Sequence, residues 1–156
     1  MASAVAADGF DPALVEHCIS VFCTAGDPCA LRAPAVALDR AQRLLRDQPR
    51  WRASEFTAAW AAACPEGCAP DAAWLAGEAL EEGEWLVAFP AAGLPKQPRA
   101  RFAALFAQRQ RWSRAALLPY LEGVEEVGAT AEGLLLAHCR LSQPVKDGPA
   151  WYSARF

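Results

Sequence analysis

The stretch that decides the fold is RFAALFAQRQRWSRAALLPYLEGV, residues 101–124, which carries four arginines and no acidic residue before Glu122. Its apolar residues recur at helical spacing in two groups, Phe102, Leu105 and Phe106, then Leu117, Leu118 and Leu121. Ser113 can cap the second helix, which Pro119 requires either to begin late or to be kinked. The charge and the aromatic rings are typical of a nucleic-acid contact or of the core and solvated edge of a small helical domain. Helical spacing of the rings favours the core.

Outward from this stretch, the sequence predicts the same order of elements twice. Downstream, residues 130–140 predict a helix and residues 151–156 predict a strand. Upstream, helices are predicted to begin at Asp11-Pro12, at Pro34 and at a capping Ser54, and a short one covers residues 71–76. Residues 78–81 and 85–89 then predict a β-hairpin.

Two matching landmarks indicate an internal duplication. Arg50-Trp51 precedes the helix of Ser54 as Arg111-Trp112 precedes the helix of Ser113. Three helices followed by a hairpin, twice over, predict a mainly α (α+β) fold of tandem winged helices, against the alternative of one irregular helical domain. The predicted division is a disordered N-terminus (1–10), a first winged-helix-like domain (11–90), a linker (91–98) and a second winged-helix domain (99–156).

The net charge of −3 is unevenly distributed along the chain. Residues 1–97 hold 7 basic and 13 acidic residues, whereas residues 98–156 hold 8 basic and 5 acidic ones. Residues 53–95 contain no Lys or Arg but seven acids, and they include the predicted recognition-position helix and wing of the first unit. A surface of this sign repels a polyanion, so the first unit is expected to be a protein-binding or spacing module rather than a DNA-binding one.

Signatures of catalysis and metal binding are absent from the sequence. It has neither of the common phosphate-binding glycine motifs, and neighbouring Cys and His residues on one helix point apart. Cys64 and Cys68 have a spacing that zinc sites use, but the other ligands would be scattered, so reduced core thiols are favoured. We expect no enzyme, no cofactor and no metal. Without a long apolar run or a basic leader, we expect neither a membrane span nor a secretory signal, and an intracellular protein.

Two interpretations of the basic half stay open, a solvated face and weak, sequence-independent phosphate contact, and the first is favoured. The predicted recognition-position helix of the second unit is nearly all apolar, so direct base reading is not expected. If DNA is bound, the residues expected to contact it are Arg109, Arg111, Arg114, Arg140, Lys146 and Arg155.

Beyond residues 101–124, EGLLLAHCR (132–140) and WYSARF (151–156) complete a pattern of Arg-Phe, Leu-Phe, a basic residue before Trp, Pro-Tyr, an apolar helix and a closing Tyr-Ser-x-Arg. Upstream, LVEHCISVFC (14–23), SEFTAAWAAACPEG (54–67) and WLVAFP (85–90) extend it. In type and order these segments resemble the C-terminal region of the family called "defective in sister chromatid cohesion protein 1". The resemblance covers about residues 12–156.

This resemblance implies a non-catalytic subunit, or a fragment of one, of the alternative replication factor C clamp loader that acts in sister chromatid cohesion. It implies winged helices that join the loader to DNA polymerase epsilon and contact DNA, and a nuclear location at the replication fork. Members of that family are more than twice as long, and their loader-docking half lies outside this sequence. A free-standing winged-helix DNA-binding regulator is the alternative.

Overall fold

The computed structural model describes residues 10–25, 27–124, 130–143 and 148–155, with the backbone alone for 27–29. Helices combine with small antiparallel sheets, so the predicted α+β class is confirmed. The chain forms two compact units, Met1–Leu75 with Glu81–Ala88, and Ala76–Leu80 with Phe89–Phe156. The predicted disordered stretch falls almost wholly outside the described residues, and the predicted domain and linker bounds stay predictions.

The first unit begins with helix α1 (Pro12–Phe22) and a hairpin of β1 (Cys23–Thr24) and β2 (Asp27–Leu31). Asp11 caps α1 as predicted, because its side chain accepts a hydrogen bond from the amide of Ala13 at 3.0 Å. No residue of α1 is buried, and the side chain of Leu14 is 54% exposed.

Helix α2 (Ala33–Asp47), β3 (Arg50–Arg52), α3 (Ala53–Ala63), a 3-10 turn (Ala72–Leu75), β4 (Ala79–Glu82) and β5 (Trp85–Ala88) follow. The sheet has the order β3-β5-β4. Apolar side chains from these elements form the core of the unit: Val36, Ala37, Ala41, Leu45, Phe56, Trp60, Leu75 and Leu86. The indole of Trp60 donates to the carbonyl of Ala37 at 2.7 Å, which joins α3 to α2.

The second unit contains a 3-10 turn (Ala91–Gly93), α4 (Pro98–Gln108), β6 (Trp112–Ser113), α5 (Arg114–Leu117), a 3-10 turn (Leu118–Leu121), α6 (Ala131–His138), β7 (Cys139–Ser142) and β8 (Trp151–Ala154). The sheet order is β6-β8-β7. In both sheets the first strand pairs with the last; one helix, α2 or α4, precedes the first strand, and helical segments also lie between the first and second strands. This topology supports the winged-helix interpretation of both units.

Most aromatic rings of residues 101–124 lie in the hydrophobic core of the second unit, as predicted. Trp112 and Tyr120 are both 1% exposed, and their rings meet edge to face at 5.5 Å. Phe89 packs against Tyr120 at 5.3 Å. The rest of the cluster consists of Leu80, Phe102, Leu105, Leu117, Leu121, Leu134, Leu135 and Cys139.

Several local predictions were wrong for identifiable reasons. Ser54 is not the cap of α3, because the helix already begins at Ala53 with Arg52 as its N-cap residue. The predicted helix over 71–76 is a single 3-10 turn. The predicted helix over 130–140 ends at His138, and Cys139 begins a strand whose four residues are too few to show a clear alternation.

Around Pro119, the chain neither starts a helix late nor kinks one. Ser113 caps α5 as predicted, accepting from the amide of Ala116 at 3.2 Å. After one turn α5 gives way to the 3-10 turn, where Pro119 lies in the first positions and blocks no α-helical hydrogen bond.

The predicted duplication corresponds to an equivalent arrangement in the two units. The indole of Trp51 donates to the carbonyl of Leu44 at 3.4 Å, and that of Trp112 donates to the carbonyl of Leu105 at 3.1 Å. Each indole therefore reaches seven residues back to the end of the preceding helix. The Arg-Trp landmarks mark the short first strand of each sheet, which sequence periodicity alone did not reveal.

Candidate nucleic-acid interface

Two of the six predicted DNA-contacting residues, Arg114 and Arg109, interact with other side chains of the second unit. Arg114 forms an ion pair with Glu132, which holds the pKa of that carboxyl below its usual value, chiefly through the hydrogen bond from Arg114. Arg109 is half-buried, with its guanidinium 5.5 Å from the centre of the Trp112 ring. Both arginines are therefore less available to phosphate than their sequence position indicated.

Arg111 and Arg140 are exposed and have no hydrogen-bond or ion-pair partner among the described residues. In the sheet, Arg140 lies opposite Ser153, and Ser113 lies opposite Trp151. Because side chains alternate along a strand, Arg140, Ser153 and Trp151 lie on one face of the sheet, and Cys139 and Tyr152 lie on the other. Extending the register of β6 back by one residue places Arg111 opposite Ser153 as well. The outer face of this sheet thus joins two exposed guanidinium groups to an indole that is 36% exposed.

Arg155 lies at a different place, beside a depression of about 460 Å³ that Arg99, Phe102, Phe106 and His138 also line. Its guanidinium donates to the carbonyl of Leu136 at 2.6 Å. The imidazole of His138 stacks on Phe102 with 4.8 Å between ring centres. Arg99 was not among the predicted residues although it belongs to the same basic run. Lys146 lies outside the described residues.

Arg101 shows why a run of basic residues need not be a basic surface. Its side chain is 3% exposed, and it donates hydrogen bonds to five backbone carbonyls. These carbonyls belong to two separate segments of the second unit, namely Ala91, Leu94 and Pro95, and Tyr120 and Glu122. The guanidinium group of Arg101 therefore holds these two segments together through its hydrogen bonds.

The first unit contains a basic feature that the sequence pattern did not reveal. Arg50 and Arg52 both lie over the ring of Trp85, with their guanidinium carbons 4.5 and 5.4 Å from the ring centre. Arg52 also pairs with Glu84 at 3.3 Å. Side chains alternate along a strand, so Arg50 and Arg52 lie on one face of β3, but the sequence did not show that these three residues form a strand.

The wing position of the first unit keeps its predicted acidic character. Glu81, Glu82 and Glu84 are exposed around a turn at Gly83, whose φ of +62° favours glycine. The recognition position offers only the 3-10 turn after Asp71, whose carboxylate accepts from the amide of Ala73 at 2.9 Å. One short turn behind an acid gives a duplex little to bind.

In the second unit, α6 corresponds to the predicted recognition-position helix, and α6 and β7 expose apolar residues. Leu136 is 75% exposed and Leu141 is 60% exposed. They line a groove of about 210 Å³ with Tyr152 and Glu132. The residues lining this groove include no arginine and no side-chain amide that could bind base edges, and the expectation against direct base reading stays a prediction.

Within the described ranges, no three side chains of His, Cys, Asp or Glu converge as metal ligands would. Five cysteines of that part of the chain are free thiols, and Cys139 is buried whereas Cys18 is exposed. The expectation of core thiols is therefore wrong for Cys18. None of the helices in the described part of the chain has the length and hydropathy needed to cross a membrane.

Comparison with known proteins gives one family and several relatives. The family described as "Sister chromatid cohesion protein Dcc1" matches residues 1–121. "Sister chromatid cohesion protein DCC1" of Xenopus tropicalis is 27% identical over 153 residues, covering 91% of this chain and 39% of the relative. The Danio rerio protein is 28% identical, with 92% and 39% covered, and the Homo sapiens protein 24% identical, with 91% and 38% covered. The chain thus spans about two fifths of the length of these relatives.

Proposed function

Because this chain belongs to the Dcc1 family of sister chromatid cohesion proteins, we propose that it is a non-catalytic interaction module in DNA replication and sister chromatid cohesion. In this proposal it belongs to the cohesion-linked alternative clamp loader, works in the nucleus, and uses two winged-helix units to bind the subunits of the loader and DNA polymerase epsilon. The second unit adds a weak, sequence-independent contact with DNA.

The proposed difference in partners, protein for the first unit and DNA for the second, rests on a contrast between two equivalent sheet faces. Trp85 lies opposite Arg52, and Trp151 lies opposite Ser113, at corresponding positions of the two sheets. In the first unit the arginines are occupied by the indole and by Glu84. In the second unit, Arg111 and Arg140 lie on a face with an exposed indole, and no acid pairs with them among the described residues. A polyanion can therefore approach the second face, whereas the acidic turn of the first unit suits a protein partner.

The DNA part of the proposal is tested by the salt dependence of binding. Each phosphate that a protein neutralises adds about −0.9 to the slope of log K against log salt. Replacing Arg111 and Arg140 together with glutamine should therefore make the slope less steep by about 1.8, measured by fluorescence anisotropy with a labelled duplex of arbitrary sequence. Different duplex sequences should give the same affinity.

The matched control replaces Arg43 and Arg46 of α2, which lowers the net charge equally. Arg43 already pairs with Asp39 at 3.0 Å, and Arg46 reaches the carbonyl of Gln42. The control should leave the slope unchanged. Equal effects of both pairs would refute the assigned face. A strong preference for one duplex sequence would instead support a free-standing DNA-binding regulator.

The protein part is tested separately by pull-down with the catalytic part of polymerase epsilon and with the loader subunits. A full-length relative, which contains the matching segment, serves as the positive control. Exchanging Glu81 and Glu82 for glutamine should weaken capture, and the Arg111 and Arg140 exchange should leave it unchanged. Capture of neither partner by the chain or by the full-length relative would refute this part.

A further inference from the structure

A depression in the second unit lies where α4 packs against α6 and β8. Its volume of about 460 Å³ is within the range of sites that hold small ligands or single side chains. The residues that line it from α4 have the spacing of one helix face: Arg99, Phe102, Ala103 and Phe106. The last residue of α6, His138, and the residue after β8, Arg155, lie on its other sides.

Aromatic rings form the apolar wall of this depression. Phe102 stacks with Phe106 at 6.2 Å and with His138 at 4.8 Å between ring centres. Because Phe102 is 3% exposed, it supports the two outer rings from the core. Phe106 and His138 are half-buried and Ala103 is exposed, so the surface that a ligand can cover is mainly apolar.

Two exposed guanidinium groups line the same depression. Arg155 is held in place, because its Nη1 donates to the carbonyl of Leu136 at 2.6 Å and its amide donates to the carbonyl of His138 at 3.2 Å. That side-chain bond uses one of the five N–H donors of the guanidinium. Arg99 has no hydrogen-bond or ion-pair partner among the described residues.

No carboxylate of the depression itself compensates this charge. Among the described residues that line it none is acidic, and the first turn of α4 contains no acid. A guanidinium binds a carboxylate through two parallel hydrogen bonds, which are stronger than those between neutral groups. The charge and the rings together therefore suit a ligand that carries carboxylates beside an apolar group.

The position of the depression favours a peptide over a nucleic acid. Ala154, which also lines it, lies on the opposite side of β8 from Trp151 and Ser153, because side chains alternate along the strand. The depression is therefore not continuous with the sheet face proposed to contact DNA. A nucleic-acid strand needs a row of cations and open ring faces for its bases. Here there are two arginines, and the ring of Phe102 is already stacked and buried.

We propose that this depression is a docking site for an acidic segment of a partner protein. One apolar side chain of the segment covers the rings of Phe106 and His138, and neighbouring carboxylates bind Arg99 and Arg155. This site does not rest on the proposed function.

Binding of model peptides to the whole chain tests the proposal. The probe is a fluorescein-labelled peptide with one phenylalanine between two pairs of glutamates and both termini blocked, and binding is followed by fluorescence anisotropy. The peptide with glutamine in place of every glutamate should bind at least about tenfold more weakly, because it lacks the charge-assisted hydrogen bonds. The peptide with serine in place of phenylalanine should also bind at least about tenfold more weakly, because it cannot cover the rings.

Variants of the chain locate the site. Arg99→Gln and Arg155→Gln should each weaken binding of the first peptide about fivefold. Since Arg155→Gln also removes the bond to Leu136, Ala103→Glu provides a second test. It places a carboxylate at an exposed helical position inside the depression and should abolish binding of the acidic peptide. Circular dichroism checks that each variant is folded.

Arg111→Gln is the control of equal charge, since Arg111 is exposed on the other side of the sheet, and it should leave peptide binding unchanged. In turn, Arg99→Gln should leave the salt dependence of duplex binding unchanged, so this proposal and the DNA proposal can fail separately. The docking site is refuted by the absence of saturable binding, by equal binding of the three peptides, or by an equal effect of Arg111→Gln and Arg99→Gln. Displacement of the peptide by oligothymidylate, with the same sensitivity to Ala103→Glu, would assign the depression to nucleic acid instead and would also refute it.

Discussion

Replacing Arg101 with methionine should destabilise the second unit severely, although the change removes only one of a run of arginines. The substitution keeps most of the aliphatic stem and deletes the guanidinium. Five carbonyl groups then lose their donor, at distances that now range from 2.6 to 3.4 Å. Within the described residues no ion pair involves Arg101, so the effect is one of hydrogen bonding and not of a broken salt bridge.

The magnitude follows from the value of hydrogen bonds made by charged groups. Each contributes about 1.5–3 kcal/mol, and an unsatisfied buried acceptor costs about 1–3 kcal/mol. The five bonds come from one side chain and are not additive, and some carbonyls will be reached by water once the guanidinium is gone. We therefore expect a loss of about 4 kcal/mol in the free energy of unfolding of this unit, a large part of the stability of a small domain.

The assay is urea unfolding followed by hydrogen exchange and mass spectrometry, because peptides then report each unit separately. For an m-value of about 2 kcal/mol per molar, a loss of about 4 kcal/mol lowers the urea midpoint by about 2 M. Peptides of the second unit should show this shift, whereas those of residues 33–63 should keep their midpoint. Arg101→Lys should give a smaller but clear loss, because an ammonium group has three donors for five acceptors.

Arg99→Met is the matched control, since Arg99 is exposed on the same helix and has no partner among the described residues. Its midpoint should stay within the change expected of a surface substitution, about 0.5 kcal/mol. If Arg101→Met unfolds at the same urea concentration as this control, the two carbonyl segments hold together without the guanidinium, and Arg101 does not stabilise the unit in the way that its hydrogen bonds indicate.

Three further predictions concern single side chains. Ser113→Ala should cost about 1 kcal/mol through loss of the cap of α5, whereas Ser54→Ala, at the position wrongly predicted to be a cap, should cost less than about 0.5 kcal/mol in urea unfolding. NMR titration should give Glu132 a pKa below its usual value, and Arg114→Gln should raise that pKa again. The stabilisation by the Arg114–Glu132 pair is present above the pKa of Glu132 in the unfolded chain, and it is lost as the pH falls through the pKa of Glu132 in the folded chain. Burial raises the pKa of Cys139 to about 11, so alkylation of the folded chain should spare this thiol up to that pH. The stability that the buried, protonated thiol contributes is lost as the pH rises from the pKa of Cys139 in the unfolded chain towards 11. Rapid alkylation at pH 8 would contradict that burial.

The sequence predicted helices and caps where local chemistry determines them. Asp11 and Ser113 are caps because each supplies an oxygen to the amides that begin a helix. Strands β3 and β6 were missed because three and two residues contain no readable alternation, and their positions are set by pairing with β5 and β8 far along the chain. Tertiary pairing of this kind leaves almost no trace in a single sequence.

The candidate interface was harder to predict, because a run of charged residues in a sequence does not show which of their side chains lie on the surface of the folded chain. Arg101 and Arg111 are ten residues apart in one basic run, yet the first is buried and donates to five backbone carbonyls, whereas the second is exposed. Which arginine is exposed depends on the carbonyls, rings and carboxylates that the fold brings beside it. Arg114 meets Glu132 only because α5 and α6 converge.

The two sheets show how one scaffold can acquire opposite surfaces. Trp85 and Trp151 lie at equivalent registers, so both sheets carry an indole on the corresponding face. Arg52 stands opposite the first indole and Ser113 opposite the second. Arg52 lies over the ring of Trp85 and pairs with Glu84, and Arg50 lies over the same ring. The serine is too short to cover a ring and is committed to capping α5, so its face stays open beside two exposed arginines. The two faces thus differ in the residue opposite the indole, an arginine in the first sheet and a serine in the second.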